Sequence, residues 1–93
     1  MAVKTWIATY DISVDRSRTR VARLLQARGH RILYSVFELS SSDRDVAGIV
    51  ARSEGLLGAE DHLLLVPICG DCRMWAAGPG LEPSSRTFVV CGP

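Results

Sequence analysis

The sequence predicts an α+β domain of the split βαβ, ferredoxin-like type: an antiparallel sheet with two helices on one face, plus a C-terminal strand. Three observations carry this. Extended and helical patterns follow one another in the order strand, helix, strand or strand pair, helix, strand, strand. Each helical stretch has a single apolar face, so both helices are expected to cover the same side of the sheet. At 93 residues, 47% apolar and 23% charged, the chain has the size and composition of one globular domain and not of a disordered tail. The expected division is a domain over 1–78 and a C-terminal tail over 79–93 that carries a strand and docks on a partner chain.

Residues 3–10, Val-Lys-Thr-Trp-Ile-Ala-Thr-Tyr, are β-branched and aromatic and form a central strand. Asp11 to Asp15 is its exit turn, where Ser13 or Asp15 caps the following helix. From about Arg16 to Arg28, Val21, Leu24 and Leu25 recur at helical spacing, and Gly29 ends the helix as a left-handed cap. Arg31 to Leu39 is extended, with a break near Ser35 into two short strands. Ser40-Ser41-Ser42-Asp43 opens the second helix with Ser42 as cap, and Val46, Ile49, Val50 and then Leu56 or Leu57 form its apolar face. Gly58 to Asp61 is a loop, and His62 to Ile68 is a nearly all-apolar strand. Arg73 to Ala77 and Arg86 to Cys91 read as short strands on either side of Gly- and Pro-rich turns.

The first strand places Trp6, Ala8 and Tyr10 on one side and Thr5, Ile7 and Thr9 on the other. Neither side looks fully solvated. An apolar second sheet face and a loosely tethered last strand are both relieved by pairing with a second copy, so a homodimer is expected.

The net charge of +1 hides an asymmetry. Up to Val36 the chain has seven basic residues against two acids, a net +5; from Phe37 onward it has four against eight, a net −4. Ten of the eleven basic residues are arginine, whose planar fork matches phosphate oxygens, and six lie between Arg16 and Arg31. Such a one-sided field attracts a polyanion whatever the total charge. The longest apolar run, Leu63 to Cys69, is too short for a membrane span, and the expected location is soluble and cytoplasmic. Cys69 and Cys72 form a Cys-x-x-Cys with no second pair to complete a zinc site. They are read as buried or half-buried thiols of a protein from a reducing compartment.

Tyr10-Asp11-Ile12-Ser13, Arg18-x-Arg20-Val21-Ala22 and Arg31-Ile32-x-Tyr34-Ser35-Val36-Phe37-Glu38 together resemble the CRISPR-associated protein two family. This is the smaller of the two widespread CRISPR adaptation proteins. The resemblance covers roughly residues 3–72, through Val66-Pro67-Ile68-Cys69; Leu33 departs from it, since members often have glutamine there. It implies a ferredoxin-like homodimer whose C-terminal strand is exchanged with or docked on the partner chain. It also implies assembly with the larger CRISPR-associated integrase, in which the dimer holds the DNA fragment bound for the repeat array. Many members are described as magnesium-dependent endoribonucleases and some as acting on double-stranded DNA. In the integration complex the small subunit can instead be a non-catalytic DNA-binding scaffold.

Asp11 is the one acid of the basic half at a strand C-terminus. Mg²⁺ is often held by one or two carboxylates together with substrate phosphate. A two-fold axis beside the first strand brings in the second chain's Asp11 and makes a two-carboxylate site. Asp11 is therefore the candidate catalytic residue and metal ligand, one from each subunit; the competing role is a turn residue that caps backbone N–H groups. Arg16, Arg18, Arg20 and Arg31 are the candidate contacts to RNA or double-stranded DNA. Tyr10, Ser35 and Phe37 are supporting residues: Ser35 as a donor to phosphate, Phe37 against a base or ribose or within the dimer core. Neither histidine has a nucleophile beside it in the sequence. No Gly-rich phosphate loop recommends a small-ligand regulatory domain.

Overall fold

The computed structural model describes residues 2–69, 71, 74–77 and 87–90. The elements are β1 (Lys4–Asp11), α1 (Asp15–Gln26), β2 (Gly29–Leu33), β3 (Val36–Ser41), α2 (Asp43–Glu54), β4 (His62–Ile68), β5 (Met74–Ala77) and β6 (Thr87–Val90). The main sheet has the order β2-β3-β1-β4, with every neighbouring pair antiparallel. This is the expected ferredoxin-like arrangement, with β1 and β3 interior. The break near Ser35 is a tight turn between β2 and β3, and the register shifts between Arg31 and Leu33.

Strand alternation divides the sheet into two unlike faces. On the helix side, Trp6, Ala8 and Tyr10 of β1 sit with Phe37 and Leu39 of β3, and Val21, Ala22 and Leu25 of α1 and Val46 and Ile49 of α2 close over them. Leu63 and Leu65 of β4 pack against the edge of this core. The two longest polar reaches are satisfied inside it. The Trp6 indole Nε1 donates to the Ser41 carbonyl at 2.9 Å, and the Tyr10 hydroxyl donates to the Tyr34 carbonyl at 3.3 Å.

The opposite face is covered by no element among the described residues. In register, Ile7 stands beside Val66, Thr9 beside Leu64 and beside Val36, and Asp11 beside His62. Leu64 is 57% and Val66 46% exposed, although both lie in a strand. The face is apolar in composition, and Leu64 and Val66 are open to solvent in the single chain.

Four local expectations are corrected. The residue at the N-terminal cap of α1 is Val14, with no side-chain capping bond, because Ser13 is drawn elsewhere. Gly29 is not a helix cap: Ala27 is, in right-handed helical geometry, and Gly29 begins β2. A Cβ at Gly29 would press on the Glu38 carbonyl carbon at 2.8 Å, so glycine is there for the close approach of β3. In α2 the buried stripe is Val46, Ile49 and Ser53, whereas Val50 is 36% exposed. The helix is rotated so that the small Ser53 meets the layer below. Finally, Cys69 is exposed and disulfide-bonded, not a buried free thiol. Ser42, by contrast, caps α2 as expected, its hydroxyl accepting from the Asp45 N–H at 3.1 Å.

β5 and β6 pair with each other in a separate two-stranded parallel sheet. The rest of the 79–93 tail, Cys72 and Cys91 lie outside the described residues. No helix among the described residues is long and apolar enough to cross a membrane.

Candidate nucleic-acid and metal site

Asp11 ends β1 with its side chain on the uncovered face, since it alternates with the buried Tyr10. It is exposed and makes no hydrogen bond or ion pair among the described residues. The capping role considered for it belongs to Asp61, 50 residues further on. Asp61 Oδ1 accepts from the Ser13 N–H at 3.1 Å and from the Ser13 hydroxyl at 3.2 Å, and Oδ2 accepts from the Gly58 N–H at 2.8 Å. These donors, Gly58 first and Ser13 second, hold the Asp61 carboxyl below the usual aspartate range. One acid thus fastens the β1–α1 turn to the loop before β4, which leaves the other acid free.

Arg18 fastens the same turn from the other side. Its guanidinium donates to the Ile12 carbonyl at 2.9 Å and is paired with the Asp15 carboxylate. Part of its donor set is therefore used internally. Arg16 and Arg20 are exposed and make no ion pair or hydrogen bond among the described residues. Arg31 is exposed on β2, with its guanidinium 5.1 Å from the Phe37 ring centroid and 5.7 Å from that of Tyr34. Such stacking fixes the position of the charge while leaving its N–H edge outward.

A cleft of about 320 Å³ opens where these pieces meet, lined by Tyr10, Asp15, Arg18, Thr19 and Tyr34. The structure therefore brings together Tyr10, Arg18 and, through Tyr34, Arg31. Arg16 and Arg20 lie on α1 but do not line it. Asp11 adjoins it in sequence but faces the open side of the sheet. Ser35 is half-buried in the β2–β3 turn, where its carbonyl accepts from the Tyr10 N–H at 3.2 Å. Phe37 is fully buried, with its ring centroid 6.2 Å from that of Tyr10. Of the two roles considered for Phe37, contact with a base or ribose is excluded by this burial, and the ring belongs to the protein's own core.

Two residues here escaped the sequence reading. Tyr34 is 69% exposed at the mouth of the cleft, although it sits within a motif otherwise used for packing. His62 stands opposite Asp11 across the β1–β4 pairing, a relation no local signal predicts. Among the described residues no cluster of three or more His, Cys, Asp or Glu side chains forms a ready metal site. At this end of β1, Asp11 is a carboxylate without a partner among the described residues. That donor is a hard oxygen of the kind Mg²⁺ takes, and its fit to a metal depends on a second chain.

The profile of the family CRISPR associated protein Cas2 matches residues 4–74. A relative from Chloroflexus aurantiacus, named CRISPR-associated endoribonuclease Cas2, is 31% identical over 91 residues, covering 91% of this chain and 98% of that protein. A hypothetical protein from Thermus thermophilus has a solved structure with a TM-score of 0.73 at 30% identity, covering 87% of this chain and all of that one. A chain in a partial Cas6-RT-Cas1 and Cas2 complex superposes with a TM-score of 0.55 at 25% identity, over 73% of this chain and 81% of that one.

Proposed function

The chain belongs to the CRISPR associated protein Cas2 family, and we propose that it is a divalent-metal-dependent endoribonuclease acting as a homodimer within a CRISPR system. The observation that carries this reading is the exposed carboxylate of Asp11 at the end of β1, without a partner among the described residues and followed by the arginine-rich α1. The name of the Chloroflexus aurantiacus relative supports the reaction class.

Dimerisation follows from the uncovered sheet face. Leu64 and Val66, with Ile7 and Val36 beside them, form an apolar surface that a second sheet of the same kind covers. Stacking about a two-fold axis that passes near the end of β1 brings the two Asp11 carboxylates to one interface. There they would hold a divalent metal, which would supply charge neutralisation at phosphate and a more acidic water. Arg16 and Arg20 hold phosphates of the RNA along α1. Arg18 places the Asp11-to-Asp15 turn, and Arg31 presents its stacked guanidinium to the strand. In the dimer the basic halves double into one track, which serves double-stranded DNA as well as RNA. The C-terminal segment docks on a partner chain. Assembly with the larger CRISPR integrase is supported by the likeness to a chain of a Cas1-containing complex.

The test is cleavage of a labelled single-stranded RNA with Mg²⁺ by the parent and by Asp11→Asn. The expected result is loss of product in the variant and in EDTA, with the circular dichroism spectrum unchanged. Cleavage that survives in Asp11→Asn removes the proposed role of Asp11 and leaves a DNA-binding scaffold as the better reading.

A further inference from the structure

The basic residues that the cleft does not use gather elsewhere. Between α1 and α2, on the helix layer, lies a groove of about 270 Å³. Leu24, Ala27 and Ile49 form its floor, and Arg28, Arg44 and Arg52 stand around it with Asp45. Arg44 and Arg52 are two turns apart on α2, about 12 Å along the axis. Neither makes an ion pair or hydrogen bond among the described residues. Arg28 is anchored through its backbone: its N–H donates to the Leu25 carbonyl and its carbonyl accepts from the Ser40 N–H, both at 3.0 Å. Its guanidinium stands 3.5 Å from the Asp45 carboxylate, so the groove already receives one carboxylate.

Gly48 lies between Arg44 and Arg52, one turn from each. A Cβ added there meets nothing within 4 Å. Glycine in a helix interior is less favourable than alanine, and here it relieves no clash. What it does is keep the space between two unpaired guanidiniums open.

We propose that this groove docks an acidic segment of a protein partner, a stretch in which carboxylates flank one apolar side chain. The unpaired guanidiniums of Arg44 and Arg52 match carboxylates as Arg28 already matches Asp45, and the apolar floor takes the anchor between them. A phosphodiester backbone has no use for that floor. The groove also lies on the helix side of the sheet, whereas Asp11 lies on the other, and Arg28 is about ten helical residues, or roughly 15 Å, from Arg18. It is a second surface, and its occupation does not depend on whether the first one cuts RNA.

The test measures binding to the full-length protein of a fluorescein-labelled peptide of glutamates flanking one leucine, by fluorescence anisotropy at low and high salt. The diagnostic variant is Gly48→Glu. It fills the groove and sets a carboxylate at i,i+4 spacing from both arginines, an arrangement that supports the helix, so loss of folding does not confound the result. The parent and Gly48→Ala bind the peptide, more weakly at high salt. Gly48→Glu and the double variant Arg44→Gln with Arg52→Gln bind at least about tenfold more weakly, as expected for loss of hydrogen bonds to charged groups. Three results overturn the proposal: no binding to the parent, equal binding to folded Gly48→Glu, or displacement of the peptide by an RNA or duplex oligonucleotide at equal charge concentration. The last would assign the groove to nucleic acid.

Discussion

Two aspartates beside the β1–α1 turn differ in what surrounds them. Asp61 is surrounded by donors and Asp11 by none, although Asp11 is the one that sits in the turn where a capping acid is expected. Their behaviour with pH should differ accordingly. The Asp61 carboxyl is depressed in the folded state, so its contribution is present above the unfolded value and is lost as pH falls through the folded one. Amide exchange measured from neutral to acidic pH should show the Ser13 and Gly58 N–H groups protected down to below the usual carboxylate range and then released. In Asp61→Ala both should exchange fast at every pH. Phe37 marks the other boundary, between core and surface. Truncation to alanine in the fully buried pocket should cost about 3–5 kcal/mol in urea denaturation, with the effect on RNA cleavage following the loss of folded protein. The acid at position 11 was legible from its strand end and its basic surroundings. The job of Asp61 was not, because it rests on a contact 48 residues away that only the folded chain makes.

The elements were legible where their signals were local. The Ser42 cap, three residues before Asp45, lies wholly within one turn, and the structure has it as read. Ser42→Ala should therefore cost about 1 kcal/mol, measured by the shift of the urea midpoint at unchanged slope. Two glycines, Gly29 in β2 and Gly48 in α2, make a sharper comparison. Gly29 lies under the β3 backbone, and Gly48 faces open space. Gly29→Ala should destabilise by about 1–3 kcal/mol, since backbone cannot swing aside as a side chain can. Gly48→Ala should instead stabilise by roughly 0.5–1 kcal/mol. From the sequence the first looked like an ordinary helix terminator, because glycine after a helix has that meaning so often. The approach of Glu38 is tertiary and leaves no local trace. The rotation of α2 that buries Ser53 and exposes Val50 is likewise set by what lies beneath the helix, which a stripe of apolar residues defines only to within one position.

At the scale of the molecule, a small chain leaves one sheet face uncovered among the described residues, and the proposed metal site would need a second chain. The split of charge at Val36 into +5 and −4 now has a spatial counterpart. Arg16 and Arg20 lie near the exit of β1, whereas Arg28, Arg44 and Arg52 ring a groove on the helix layer. Basic side chains thus form more than one surface, and Arg44 and Arg52 of the second come from the half whose net charge is negative. If the sheet faces pair, charge inserted on β4 should prevent it. Val66→Arg, at a position 46% exposed in the single chain, should sediment as a monomer where the parent sediments as a dimer, and should lose RNA cleavage with it. Monomers that still cut would show a site complete in one chain.

The central claim is that each site takes one carboxylate from each of two chains. Subunit mixing tests it most directly. Parent and Asp11→Asn chains, combined in varied ratio, exchanged by mild denaturation and refolding and assayed for Mg²⁺-dependent RNA cleavage, form parent, hybrid and variant dimers in statistical proportion. If both Asp11 side chains are required, only the parent dimers cut, and activity falls as the square of the parent fraction. A fall in direct proportion to the parent fraction would mean that one Asp11 suffices, and would contradict the shared site.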